Sequence, residues 1–398
     1  MGIMFRLIRK LSVLCCLGAS VYAASSSTEA VGPSTVTVEN LGNPYLARYP
    51  SGEAVYARNI WDICAYRGRL FLGAGNSSNW GPAVNAGPVP VFSYDPLQGI
   101  FREEFIVDDE QVDVLHVFGD QLYIPGHDPR ESWDLGNFYR LDITGSWHKY
   151  RNIPEGIHNY DMAYWGNTLF AGLCTRWGGA VGISHDMGLT WQNVSVSTFR
   201  IYALVTVKGR LYAVGTLPDV FVYDGKGGFI PVKGITKRVM FPGVNLQKGL
   251  LTRIARPISA DTLAFFIGAY CHNDHQYRPF GLFVARSLQQ GAPDIRRVIL
   301  PPQGRPWDLL SYDGEFYVLL DYPSTEYTTV KVMHTKDGTT WRELLQFRSS
   351  TFARSFAVLN GDWYFGLGCE VQDAEKWRTE ELNAETGTVL RVRSTQLK

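Results

Sequence analysis

The sequence has no charge of either sign in excess: 38 basic residues meet 38 acidic ones. That balance excludes a global field for nucleic acid or an anionic membrane surface, so any charged partner has to be recognised locally. Cysteine is sparse, with 6 in 398 residues, and two of them, Cys15 and Cys16, lie in an N-terminal apolar run. The four in the body, Cys64, Cys174, Cys271 and Cys369, do not make a disulfide scaffold, although one bridge is permitted in an oxidising compartment. Stability has to come from the core. Long apolar stretches are missing too: residues 11–21 are too few to span a bilayer comfortably.

What is present begins with that run. Arg6, Arg9 and Lys10 precede it, and Val21-Tyr22-Ala23 follows as a small-residue site, so residues 1–23 read as a cleaved signal peptide and the mature chain as secreted or periplasmic, with no membrane span. Lipid attachment at Cys15 or Cys16 is a minor alternative, because Val13-Leu14-Cys15 lacks the small residues such a site needs. Residues 24–33 are small and polar, a flexible leader, and 34–398 form one long body. With 45% hydrophobic residues, 13% aromatics, 40 glycines and 20 prolines, the body suits many short strands joined by tight turns.

A repeat organises it. A short apolar strand runs into a turn carrying Gly or Asp and then into a second strand opening on an apolar residue, as in Tyr164-Trp165-Gly166-Asn167-Thr168-Leu169-Phe170 and Tyr312-Asp313-Gly314-Glu315-Phe316-Tyr317. The first apolar residues of the second strands fall at 70, 122, 169, 211, 263, 316 and 363. Their spacings of 52, 47, 42, 52, 53 and 47 lie in the range of propeller blades, and each leaves room for two more strands, such as 89–95 and 101–107 in the first unit. Asp-Gly and Asn-Gly supply the positive φ that two-residue hairpins require. The last unit ends after 387–393 with one strand too few, and the alternating segment 35–40 is available to supply it. The expected fold is therefore an all-β, seven-bladed propeller of four-stranded antiparallel blades, closed by an N-terminal strand in the last blade.

Two turns carry a signature. Ser184-His185-Asp186-Met187-Gly188-Leu189-Thr190-Trp191 matches the Asp-box pattern Ser-x-Asp-x-Gly-x-Thr-Trp, and Thr335-Lys336-Asp337-Gly338-Thr339-Thr340-Trp341 is a shortened relative. The Asp carboxylate of such a turn can accept backbone and Thr hydroxyl bonds while Trp packs beneath. On these turns the chain resembles the sialidase-like, Asp-box β-propellers. That resemblance implies the fold, and it implies that Asp186 and Trp191 sit on an outer hairpin away from an active site.

Chemistry is expected on the face where inner strands begin and second strands end, by analogy with other propellers. There the sequence collects His127, His158, Arg200, Tyr202 and Arg253, with Arg305, Arg354, Trp61, Trp177 and Trp307. Arginine forks bind carboxylate or sulfate bidentately and aromatic faces stack on sugars, which points to an acidic polysaccharide or sugar-acid ligand. β-Elimination next to a uronate needs a group to neutralise the carboxylate, a base and an acid. Arg200 or Arg253 could neutralise, His158 or Tyr202 could abstract, and His127 could assist. The architecture is similar to that of propeller lyases acting on ulvan-type uronates, which combine the same residue types and hold a structural zinc. The alternatives are a non-catalytic carbohydrate- or protein-binding scaffold and, third, a sialidase-like glycosidase, whose Phe-Arg-Ile-Pro start is echoed by Phe199-Arg200-Ile201. Cys271, His272 and His275 are the metal candidates for one structural zinc, with a fourth donor from His127, His158 or Cys174. Asp62, Asp161 and Asp308 share one position, eight residues before the anchors, which favours repeated strand-end hydrogen bonds over catalysis.

Overall fold

The turns between first and second strands set the blades. Arg67-Gly68, Gly166-Asn167, Lys208-Gly209, Asp313-Gly314 and Asn360-Gly361 all have positive φ at both central residues, the mirror-image turn that matches the twist of a two-residue hairpin. Each anchor residue lies in the strand that follows the first turn of its blade: Arg69–Gly73, Gln121–Pro125, Thr168–Thr175, Arg210–Gly215, Leu263–His272, Glu315–Pro323 and Asp362–Leu367. The computed structural model describes residues 35–77, 85–260, 262–272, 276–370 and 382–397. The signal and leader segments, 1–23 and 24–33, lie outside them. Seven four-stranded antiparallel sheets form a ring, a seven-bladed β-propeller.

The inner strands are Asp62–Tyr66, His116–Phe118, Gly156–Trp165, Ile201–Val207, Leu251–Ala260, Arg305–Tyr312 and Ala353–Leu359 for blades one to seven. Blade faces bear apolar residues that pack between neighbouring sheets. Leu70, Leu72, Val89 and Val91 of blade one, for instance, share a buried cluster with Leu122 and Ile124 of blade two and with Tyr364 of blade seven. Between blades four and five the chain makes an excursion with a short helix, Lys237–Met240, whose Thr236 side chain accepts from the Val239 N–H at 3.2 Å. Met240 and Phe241 then plug the cluster containing Phe266 and Phe283. Among the described residues no helix is long and apolar enough to cross a membrane.

The ring closes as expected, but with a shifted strand. Glu39–Gly42 pairs antiparallel with Val389–Val392 as the outermost strand of blade seven. Residues 35–38 go elsewhere. Thr35 forms a parallel bridge with Gln346 of blade six, the Val36 N–H donates to the Gln346 carbonyl at 3.0 Å, and the buried Val36 side chain joins a cluster holding Phe347 and Val392. The alternating segment thus has two uses: its first half wedges between two blades, and its end completes the sheet. A charged clasp accompanies the pairing, since Glu39 accepts from Arg391 at 2.6 Å and Arg393 at 3.1 Å. The Arg391 hydrogen bond is the largest cause holding the Glu39 carboxyl below its ordinary range.

Candidate functional site

Bulges in the inner strands build the site. In blade three, Asn159 and Asp161 oppose the consecutive residues Leu173 and Gly172, so Tyr160 is extra. Tyr202, Trp307 and Arg354 are the corresponding extra residues of blades four, six and seven. A bulge turns a side chain out of the regular alternation. The position nine residues before each anchor is occupied by Trp61, Asp113, Tyr160, Tyr202, Ile254, Trp307 and Arg354, and all seven line one axial cavity of about 250 Å³.

The next position locks blades together. Asp62 accepts from the Leu115 N–H at 2.7 Å, Asp161 from Leu204 at 2.7 Å and Asp308 from Phe356 at 3.1 Å, each on the following blade. In blade seven the equivalent Ser355 donates to the Ile60 carbonyl of blade one at 2.7 Å. These aspartates have the hydrogen-bonding role their shared position suggests. They also border the cavity, except that blade one contributes Trp61 there in place of Asp62.

Blade five departs from the pattern. Its bulge falls later, between Ala255 and Ile258, with Arg256 at φ 50° before Pro257. Arg256 reaches across the axis, donating to the Trp61 carbonyl and lying 3.6 Å from Asp62 and 3.7 Å from Asp308. Burial pushes both carboxyls above their ordinary value, against the pull of Arg256. Opposite, His116 meets Asp161 at 2.8 Å. Asp113 is 3.2 Å from His127 and also bonded by Gln111. Burial alone would raise Asp113, but His127, Gln111, Arg253 and Arg256 together hold it below the usual carboxylate range.

Of the residues singled out in the sequence, Trp61, Tyr202, Arg253, Trp307 and Arg354 line the cavity. Arg354 lies between two indoles, its guanidinium carbon 4.0 Å from the Trp61 ring and 5.1 Å from Trp307. It is held by Asn59 at 2.9 Å and the Cys369 carbonyl at 3.0 Å. Arg253 lies 5.1 Å from the Tyr202 ring. His127, His158 and Arg200 gather round Tyr160, with centroid distances of 5.2, 5.5 and 5.7 Å, one layer out from the cavity wall. His158 Nδ1 is 2.9 Å from the His127 carbonyl. Arg305 lies over Trp307 and bonds Asp321 at 2.9 Å and Glu370 at 2.7 Å, so it braces that indole from outside the cavity. Trp177 is 72% exposed in the turn between Thr168–Thr175 and Gly178–Ser184. Of the metal candidates, His275 lies outside the described residues, and so do the side chains of Cys271 and His272, whose backbone ends a strand of blade five. Among the described residues no cluster of three His, Cys, Asp or Glu side chains is arranged to hold a metal.

Sequence reasoning missed Arg256 and His116. Pro257 within an alternating strand was a usable signal for the blade-five bulge, since proline inside a sheet is confined to edges and bulges. Nothing local marks His116.

The outer hairpins show the Asp-box geometry. Asp186 accepts from Thr190 N at 2.9 Å, Thr190 Oγ1 at 2.6 Å and Ser184 Oγ at 2.8 Å, and Trp191 Nε1 donates to the Gly188 carbonyl at 3.1 Å. Asp337 gathers Thr335, Thr339 and Thr340 likewise.

No protein-family model and no curated protein matches the chain. Solved structures do. A chain of the mitotic checkpoint complex is similar over 96% of this chain and 99% of its own, at 10% identity and a TM-score of 0.51. The Pan2 WD40 domain of Neurospora crassa is similar over 90% and 94%, at 9% identity and 0.52. A chain of the Kuenenia stuttgartiensis hydrazine synthase is similar over 78% and 93%, at 11% identity and 0.50. At such identities the likeness is one of fold.

Proposed function

We propose that this is an exported carbohydrate-binding propeller whose axial cavity takes one ring-shaped acid, a uronate or similar sugar acid at the end of a polysaccharide. The observation that carries the reading is Arg253 beside the Tyr202 ring on the wall of a single cavity, with Arg354, Trp61 and Trp307 packed together on the same wall. A guanidinium recognises a carboxylate by a charge-assisted fork, and flat rings stack on the apolar face of a sugar. About 250 Å³ suits one such ring. Calorimetric titration with glucuronate, galacturonate and the neutral parent sugars tests it. The acids bind, the neutral sugars bind at least about tenfold more weakly, and Arg253→Ala removes most of that preference. Equal affinity for acid and neutral sugar would sink the reading.

A second reading, β-elimination from a uronate polymer, is favoured by one observation: Tyr202 and Arg253, a phenol and a cation, share the cavity wall. Elimination needs a base for the α-proton and a cation for the carboxylate. Incubation with uronate polymers decides between the two. Ultraviolet absorbance from unsaturated ends that disappears with Tyr202→Phe supports elimination, and binding without absorbance supports the non-catalytic reading.

A further inference from the structure

The cavity opens on a face with its own aromatic and basic surface, concentrated at blades three and four. Trp177, 72% exposed, and Phe199, 39% exposed, occupy two loops that meet on that face. One is the turn after Thr168–Thr175, and the other links Gln192–Ser197 to Ile201–Val207. These loops are pressed together: a Cβ on Gly178 would overlap the Ser197 carbonyl, and one on Gly179 the Phe199 carbonyl. Only glycine permits that backbone approach, which sets the loops carrying Trp177 and Phe199 side by side as one ridge. Thr175 stiffens the turn, its hydroxyl donating to the Gly178 carbonyl at 2.9 Å and accepting from the Trp177 N–H at 3.1 Å.

The ridge is continuous with the cavity. The Arg200 guanidinium carbon lies 5.4 Å from the Phe199 ring and 5.7 Å from the Tyr160 ring, and Tyr160 lines the cavity. Arg176, exposed beside Trp177, adds a second cation. The nearby carboxylate of Asp219 is engaged by the Ser197 hydroxyl. Blade two offers a different surface. Its exposed Trp133 stands between Glu131 and Asp134, whose carboxylates are tied to Lys149 and Arg151. A polyanion leaving the cavity therefore meets cations with aromatic faces over blades three and four, and carboxylates and cations already paired with one another over blade two.

We infer that the Trp177–Phe199 ridge is an extended subsite that holds the second and later sugars of an acidic oligosaccharide whose terminal ring sits in the axial cavity. This rests on the cavity reading above and adds to it a direction and a chain length. An exposed indole offers a flat face for stacking on a sugar ring, and Arg176 and Arg200 on the same two loops offer cations for its carboxylates.

The test compares monomeric galacturonate with its trimer and tetramer by calorimetry, in the full chain and in Trp177→Ala and Phe199→Ala, with thermal melts as a check that both variants fold. For the wild type the tetramer binds about tenfold tighter than the monomer, beyond the statistical gain from repeated ends. Trp177→Ala removes most of that gain and changes monomer affinity less than about twofold. Equal affinity of monomer and tetramer, or a tetramer preference that survives both substitutions, overturns the ridge and leaves the cavity reading standing. Failure of every uronate to bind removes the cavity reading and the ridge with it.

Discussion

At the scale of single residues, Arg256 ties three strands together at the axis. It lies between two carboxyls that burial pushes upward, Asp62 and Asp308, and it bonds the Trp61 carbonyl as well. Removing one partner of a buried charge cluster leaves the others uncompensated, a loss of about 3–5 kcal/mol. Arg256→Ala is expected to show that loss at pH 8 in chemical unfolding. Because both carboxyls titrate upward in the folded state, their protonated forms favour folding, so the variant recovers part of its stability as the pH falls toward 5. An equal loss at both pH values would assign the effect to packing. Asp109 gives a second, independent test. It is buried beneath Tyr139 and Asn137, and burial raises its carboxyl to about 6 despite their hydrogen bonds. A raised folded value means stability that is present below the unfolded pKa and lost as pH rises through about 6. Wild-type stability therefore declines from this group between about pH 4 and pH 6, and Asp109→Asn flattens that limb of the pH profile; an unchanged slope would show that the carboxyl titrates normally.

Among the elements, the outer hairpin and the inner-strand bulge recur from blade to blade, and they were unequally legible. The sequence displayed Asp-boxes at Asp186 and Asp337, yet the structure shows aspartates collecting backbone N–H groups at the same turn in blades one, two and four, through Asp95, Asp142 and Asp224. Those three were missed because the consensus also demands Ser, Thr and Trp, whereas the physics needs only a short acceptor at the head of the turn. The inner-strand bulge was harder to read. The anchors were found from the repeated strand-turn-strand unit, which carries no mark of a bulge, so Tyr202 and Trp307 could be placed near the channel without showing that one register position aims them, and Tyr160 with them, inward. Arg305 illustrates the cost: two residues from Trp307, it faces Asp321 and Glu370. For the hairpin, Asp186→Ala removes acceptors for Thr190 and Ser184, and bonds of this kind at a turn contribute about 1 kcal/mol. The low carboxyl of Asp186, at about 2, means that wild-type stability from this turn is present above the unfolded carboxylate range and fades as pH falls through about 2. Denaturant melts of the variant at pH 7 should show the small loss with no change in ligand affinity, since the turn lies at the opposite end of its strand from the Trp177 turn.

For the whole molecule, the decisive contact is the one between residues far apart in sequence. A propeller whose last blade is assembled from both ends of the chain holds its ring shut by that blade alone, and here the latch is small: four residues, Glu39–Gly42, paired with Val389–Val392. It is reinforced on either side. The Thr37 N–H donates to the Gln396 side chain at 2.8 Å, which returns a bond to the Thr37 carbonyl at 2.9 Å, and Val36 buries its side chain between blades six and seven. Burial of one valine, the ladder and the Glu39 clasp together amount to roughly 5 kcal/mol, which for a domain of this size lowers the melting midpoint by about 5–10 °C when lost. A chain beginning at residue 43 is therefore expected to melt lower by that margin at a fixed scan rate. It should also self-associate, because Val389–Val392 would become a bare sheet edge. Supplying a peptide of residues 34–43 in excess should restore the midpoint, since the strand binds only the folded ring. A truncated chain that melts with the wild type and stays monomeric would mean that the inter-blade bonds of Asp62, Asp161, Asp308 and Ser355 hold the ring closed by themselves.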